Sequence, residues 1–284
     1  MRAVLLPLVE PELDRHAVEL ALDLAAKVDG HVTALLALTD FSSLHVYGDY
    51  PMTAGWGELV ERTHQHAERR EIEVRRLLGD LGVLASGTGQ APEGAGSKLS
   101  LKVVFGNDDE VVANCALTHD LILFPRRSPA DASELPASSL LRSTLESAGR
   151  PLLVVTDELP PEFARTVAVA WNGSVEAAHA VTAALPFLVR AEQVHVLTFA
   201  TSRTEGSKAQ DLVHYLSRHG VAAQSHVREP EASVGEEVLG AASDLSADLL
   251  VMGGYTHSRI RQTLFGGVTH HVLENARLPL LMAR

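Results

Sequence analysis

The sequence predicts an α/β protein made of two tandem domains, each a five-stranded parallel sheet with flanking helices. Three observations carry this expectation. Short leucine and β-branched runs alternate with stretches of helical periodicity along the whole chain, the pattern of βαβ crossovers and a parallel sheet. The chain also repeats itself: Leu273-Glu274-Asn275-Ala276-Arg277-Leu278-Pro279-Leu280-Leu281 echoes Leu145-Glu146-Ser147-Ala148-Gly149-Arg150-Pro151-Leu152-Leu153, and Asp248-Leu249-Leu250 echoes Asp120-Leu121-Ile122 at the same spacing. The two chain starts align as well, Arg2-Ala3-Val4-Leu5-Leu6-Pro7-Leu8 with Arg165-Thr166-Val167-Ala168-Val169-Ala170-Trp171. That last spacing is longer, so the first half holds extra residues between its first and fourth strands. The expected division is a first domain at 1–156, a linker at 157–164 carrying Pro160 and Pro161, and a second domain at 165–284.

In the first half, residues 3–8 form a short apolar run that suits a buried strand. Residues 12–28 place Leu13, Val18, Leu20, Ala21, Leu24 and Ala25 on one helical stripe, with Gly30 as the expected C-cap. A second strand is expected at 31–38 and a long charged helix at 58–81. Residues 41–57 and 84–97 hold Gly, Pro and Ser without a period, so both read as insertions peculiar to this half. Strands follow at 101–105, 121–124 and 152–156, with helices at 108–117 and 138–148. The second half repeats the order compactly. Its strands are expected at 167–171, 194–199, 223–227, 249–252 and 280–283, and its helices at 175–188, 207–219, 233–245 and 268–275.

Composition narrows the function. Of 284 residues, 46% are hydrophobic and 21% charged, which describes a soluble globular protein. The formal net charge of −12 argues against a general nucleic-acid or anionic-membrane binder, since a phosphate backbone rewards a basic surface. No apolar run approaches the roughly 20 residues of a membrane helix. A lone cysteine, Cys115, allows no intrachain disulfide, and the start of the chain lacks a signal-peptide pattern. A cytoplasmic protein is expected. His64 and His66, and His270 and His271, are spaced to diverge on their helices, so no metal site is expected. No Ser-His-Asp ordering supports hydrolysis, and no catalytic residue is assigned.

The segment with most chemical content runs from Gly253 to Val268. Glycines stand at the end of a strand, Gly253 and Gly254, and again at the start of a helix, Gly266 and Gly267. Glycine allows a ligand close to the backbone, and a helix N-terminus offers unpaired amides to an anion. The amides of Gly266, Gly267 and Val268 are therefore candidates to hold phosphate, with Gly253 and the backbone of 254–256 alongside. His257, Ser258, Arg259, Arg261 and Thr269 add donors and positive charge. The bland alternative is that the glycines only shape a strand–loop–helix turn. Ligands of parallel sheets bind outside the carboxyl ends of the strands, which brings Trp171, Asn172, Gly173, Ser174 and Phe199 to the same rim. Asn172 could bond a base or ribose, while Ser174 or Asn172 could simply cap the next helix. The first half offers no such cradle: Pro125-Arg126-Arg127 with Pro129 and Pro136 stands in its place, and Val9-Glu10-Pro11 replaces Asn-Gly-Ser. Proline has no amide and Glu10 would repel phosphate. Arg126 and Arg127 are read as a solvated surface pair.

Two tandem α/β repeats, a strand leading to Trp171-Asn172-Gly173-Ser174, and Gly253, two residues, Thr256, nine residues, Gly266 and Gly267 together resemble a tandem universal stress protein. The family signature is Gly-x-x-Gly, nine residues, then Gly and Ser or Thr. Here the spacing is kept, while Thr256 replaces a glycine and Gly267 replaces the hydroxyl residue. The resemblance implies Rossmann-like domains, a homodimer or intramolecular pseudo-dimer paired through the last strands at 152–156 and 280–283, and ATP or AMP at the second-half rim. The site it implies comprises Asn172, Gly173, Ser174, Phe199, Gly253, Thr256, His257, Arg259, Gly266, Gly267 and Val268. The expected function is adenine-nucleotide binding in a regulatory or stress-response role without dedicated turnover. A nucleotide-free dimeric scaffold, and a slow ATPase or nucleotidyl transferase, stand as alternatives.

Overall fold

The computed structural model describes the chain except residues 1, 10, 39–55, 84–97, 127–138, 156–158, 160–162, 201–206 and 255–266. It divides into two compact units, Arg2–Asp120 and Leu121–Arg284.

In the first unit, β1 (Ala3–Pro7), β2 (His31–Leu38) and β3 (Leu99–Phe105) run parallel in the order β3-β2-β1. Between them lie α1 (Asp14–Val28), α2 (Trp56–Asp80) and, after β3, α3 (Asp108–Ala116). The stripe predicted on α1 is buried: Val18, Leu20, Ala21, Leu24 and Ala25 are all core. The helix ends differently from expectation. Asp29, not Gly30, takes the left-handed conformation, and Gly30 is small because a Cβ there would stand 2.9 Å from the Arg2 carbonyl oxygen. Asn107 caps α3 by accepting from the Asp109 and Glu110 amides. The insertions expected at 41–57 and 84–97 lie almost wholly outside the described residues; α2 starts at Trp56.

The second unit holds β4 (Leu121–Pro125), β5 (Leu152–Val155), β6 (Thr166–Ala170), β7 (Gln193–Phe199), β8 (Ala223–Arg228), β9 (Leu249–Gly253) and β10 (Leu280–Ala283), in the order β4-β5-β10-β9-β6-β7-β8. Its helices are α4 (Ser139–Ser147), α5 (Val175–Leu188), α6 (Ser207–Arg218), α7 (Val234–Asp244) and α8 (Gly267–Asn275). Every expected strand is present within two residues of its expected ends, and β6-β7-β8 reproduces the order of β1-β2-β3. The strands β4, β5 and β10 are continuous apolar runs, buried except for the half-buried Pro125 that ends β4, as a covered parallel sheet requires.

One pairing departs from the parallel rule. β10 and β5 are antiparallel, with Leu280 opposite Val154, Leu281 opposite Leu153 and Met282 opposite Leu152. Leu281 and Leu153 are the same position of the sequence repeat, so the two copies of one strand meet about a local two-fold axis through that pair. Helices α4 and α8, also copies of each other, join there: Glu274 of α8 accepts from Arg142 of α4 at 3.3 Å and from His270 at 2.9 Å.

The repeat also preserves a hydrogen-bonded clamp. Asp120 Oδ2 accepts from the Arg2 and Ala3 amides at 2.6 and 3.0 Å, and the Asp120 amide donates to the Ala3 carbonyl. Asp248 Oδ2 accepts from the Arg165 and Thr166 amides at 3.0 and 3.2 Å, and its amide donates to the Thr166 carbonyl. Each aspartate thus ties the start of one strand to the entry of another. Burial lifts the Asp248 carboxyl above the ordinary aspartate range, with these amides pulling the other way.

Inside the first unit, Asp14 opens α1 and is 2% exposed. Arg70 of α2 reaches it at 2.6 Å. Burial raises the Asp14 carboxyl and the guanidinium opposes that rise. A buried ion pair is most costly when one partner is removed, because the other is left uncompensated. Arg70→Met is therefore expected to destabilise the protein by about 3–5 kcal/mol, and Asp14→Asn/Arg70→Met to recover most of that loss. Urea unfolding of the two variants checks it; equal stabilities would show that the pair is not coupled.

Candidate functional site

The strand order of the second unit reverses between β9 and β6. β6 feeds β7 on one side and β9 feeds β10 on the other, so the carboxyl ends of β6 and β9 form the topological switch point, the place where parallel sheets bind ligands.

The β6–α5 turn forms one wall. The Trp171 amide donates to the Leu197 carbonyl at 2.8 Å. Asn172 Oδ1 accepts from the Ser174 amide at 3.0 Å, and Gly173 sits at φ 72°, a left-handed conformation that favours glycine. Ser174 is extended and its Oγ accepts from the Ala177 amide at 3.1 Å, which is the N-cap of α5. Ser174 thus caps α5, while Asn172 closes the turn before it and does not cap the helix; the side-chain amide of Asn172 also carries an NH2 donor. Phe199 closes β7 and is buried at 6% exposure.

At the end of β9, the two glycines have protein packed where their side chains would be. A Cβ on Gly253 would lie 2.6 Å from the Ala177 nitrogen and 3.0 Å from Glu176 Cβ, so this glycine lets the first turn of α5 press against the strand. A Cβ on Gly254 would lie 2.8 Å from Leu145 Cδ2 of α4. Gly267, by contrast, opens α8 with nothing within 4 Å of its Cβ position, and Val268 follows half-buried. Thr269 is buried. Thr256, His257, Ser258, Arg259, Arg261 and Gly266 lie outside the described residues.

Sequence reasoning missed two residues, Glu176 beside this turn and Arg126 at the opposite, amino-terminal end of β10. Glu176, in the first turn of α5, is 7% exposed; the signal was an acidic residue on the sheet-facing stripe of an otherwise apolar helix. Arg126, read from sequence as half of a solvated pair, is half-buried and donates from Nη2 to the Ala276 carbonyl at 2.7 Å, just past the end of α8. A cation is favourable at a helix C-terminus, where carbonyls lack partners. Its neighbour Arg127 is outside the described residues.

Residues 164–284 match the family model described as the universal stress protein family. No curated protein sequence matches the chain. Among solved structures, a universal stress protein from Archaeoglobus fulgidus DSM 4304 is similar with a TM-score of 0.69 at 16% identity, over 99% of this chain and 98% of that one. A functionally unknown protein from Pseudomonas aeruginosa PAO1 is similar with a TM-score of 0.59 at 15% identity, over 100% of this chain and 92% of that one. At such identities the likeness is one of fold. Residues 164–284 are a universal stress protein domain, and the chain as a whole has the universal stress protein fold, two tandem Rossmann-like repeats.

No group of three or more metal-ligating side chains gathers among the described residues, and no described helix is long and apolar enough to cross a membrane. Two histidines do meet. Gln193 Oε1 lies 3.3 Å from His195 Nε2, so that nitrogen carries the proton and Nδ1 accepts from His226 Nε2 at 3.1 Å. Burial, then the neighbouring His226, hold the His195 ring below the ordinary histidine value. A histidine whose folded value is lowered contributes stability that is complete above its unfolded value of about 6.5 and is lost as the pH falls through it.

Two outcomes follow. Wild type loses stability relative to His195→Gln as the pH falls from about 7 to about 5, read by urea unfolding at each pH; parallel curves would contradict the neutral, hydrogen-bonded ring. Gly253→Ala destabilises the ligand-free protein, because its methyl meets the α5 backbone rather than a flexible side chain. Unchanged thermal stability in that variant would show that α5 does not press on β9.

Proposed function

We propose that the switch point at the carboxyl ends of β6 and β9 binds an adenine nucleotide, ATP or AMP, and that the protein acts by binding rather than by turnover, in a regulatory or stress-response role. The observation that carries this reading is the start of α8. Gly267 and Val268 begin a helix at the switch point of a parallel sheet, and the side-chain position of Gly267 faces open space. Unpaired amides at such a terminus suit a phosphate. The glycine spacing from Gly253 through Gly266 and Gly267 supports it, with Thr256, His257 and Arg259 as further contacts and Asn172, Gly173, Ser174 and Phe199 toward the base. The repeat halves, 1–156 and 165–284 about a linker at 157–164, serve as the two domains in this reading, and only the second carries the site.

A nucleotide-free scaffold is the second reading. It is favoured by Gly253 and Gly254, whose smallness is already explained by α5 and Leu145. The partner surface in that case is another protein, and the internal β5–β10 pair takes the place of a homodimer contact.

Calorimetric titration of ATP into wild type and Gly267→Val separates the two. The valine projects from an open helix start, so the fold is kept while phosphate is crowded out. ATP affinity is expected to fall by at least about tenfold, the scale of one charge-assisted hydrogen bond. Equal affinities would move the site elsewhere, and no heat in either protein would favour the scaffold.

A further inference from the structure

Two histidines meet across β7 and β8, and the nucleotide reading does not use them. His195 is 4% exposed, and its Nδ1 stands 3.1 Å from Nε2 of the half-buried His226. The ring centroids are 5.2 Å apart with the planes tilted by 50°, so the rings meet at their nitrogens rather than stack face to face. Gln193 Oε1 lies 3.3 Å from His195 Nε2 and holds the proton there. The lone pair of His195 is thereby fixed on Nδ1, the nitrogen that faces His226. The fold does not demand this pair. By strand register, Thr33 and Lys102 hold the same two places in the first unit, where Thr33 Oγ1 is bonded to His119 Nε2 at 3.0 Å.

Two imidazole nitrogens so placed can hold one ion. Imidazole binds zinc at about 2.0–2.1 Å, so two ligands of a tetrahedral shell stand about 3.3 Å apart. The His195–His226 separation of 3.1 Å is close to that edge. A zinc-binding histidine also gives its other ring N–H to an oxygen, which sets the ring and its tautomer; Gln193 Oε1 is that oxygen for His195. Without metal, a proton on His226 Nε2 bridges the two nitrogens. We propose that a zinc ion takes the place of this bridging proton, bound by His195 Nδ1 and His226 Nε2. His226 then carries its proton on Nδ1, so neither ring needs to be charged. β8 is the last strand in the sheet order, and its Gln224, Ser225, Val227 and Arg228 are exposed. The ion therefore reaches His226 from solvent, and water fills its remaining positions. The site lies within β7 and β8, apart from the carboxyl ends of β6 and β9, and does not rest on nucleotide binding.

The test uses the full chain, stripped of metal, with Zn2+ alone as the probe. Calorimetric titration of wild type is expected to show a binding event that His226→Gln weakens by at least about tenfold. Nitrogen NMR of the histidine rings reads the site directly. One equivalent of Zn2+ is expected to move the His195 Nδ1 and His226 Nε2 signals of wild type and to leave the proton on His195 Nε2. Absence of a binding event in wild type would overturn the proposal. So would equal affinity in His226→Gln, because zinc would then sit on others of the 14 histidines. Should His226→Gln fail to fold, the wild-type NMR decides alone, and shifts confined to other histidines overturn the site.

Discussion

The antiparallel meeting of β5 and β10 is the contact on which the second unit depends. A parallel sheet leaves open edges, and an open edge of continuous apolar residues invites unwanted pairing. Here Leu152–Val155 and Leu280–Ala283 are such edges, each buried and each hydrophobic throughout. Placing Leu153 opposite Leu281 satisfies both at once and draws α4 against α8 through Arg142 and Glu274. The pairing is self-complementary, as a two-fold dimer contact must be, although both sides belong to one chain. It also explains why β4, α4 and β5, first-half elements by sequence, pack in one unit with the second repeat.

Within that frame the aspartates before β4 and β9 do a quieter job. Asp120 and Asp248 each accept from two amides at the start of a neighbouring first strand. A strand start otherwise has unpaired donors, and buried donors need partners. Sequence self-similarity marked these two residues as equivalent without saying why they are aspartates; the clamp supplies the reason.

What could be read in the sequence was what periodicity and repetition encode. Apolar runs located the buried strands such as β1, β4, β5 and β10, because burial on both faces forces continuous Leu, Val and Ile, whereas the largely exposed β8 carries no such run. The pairing of the last strands came from the family resemblance, which the Pro-Leu-Leu starts at 151 and 279 only fitted. Long-range partners were not legible. Nothing local to Arg126 announces the Ala276 carbonyl, and nothing near Glu176 announces that Gly253 brings β9 against it. The glycines illustrate the same limit. Gly253, Gly254 and Gly267 look alike in a motif, yet two are small to admit α5 and Leu145, and one opens on empty space.

The covalent joining of two copies has a consequence for how such a molecule can change. In a dimer of identical chains every substitution is made twice, so a residue that closes one cleft closes both. A single chain with two copies is released from that constraint. Arg70 can be set against Asp14 in the first copy without being repeated in the second, and the internal β5–β10 contact persists at any dilution. Symmetry survives where packing demands it, at Leu153 and Leu281, and is lost at the Asp14–Arg70 pair.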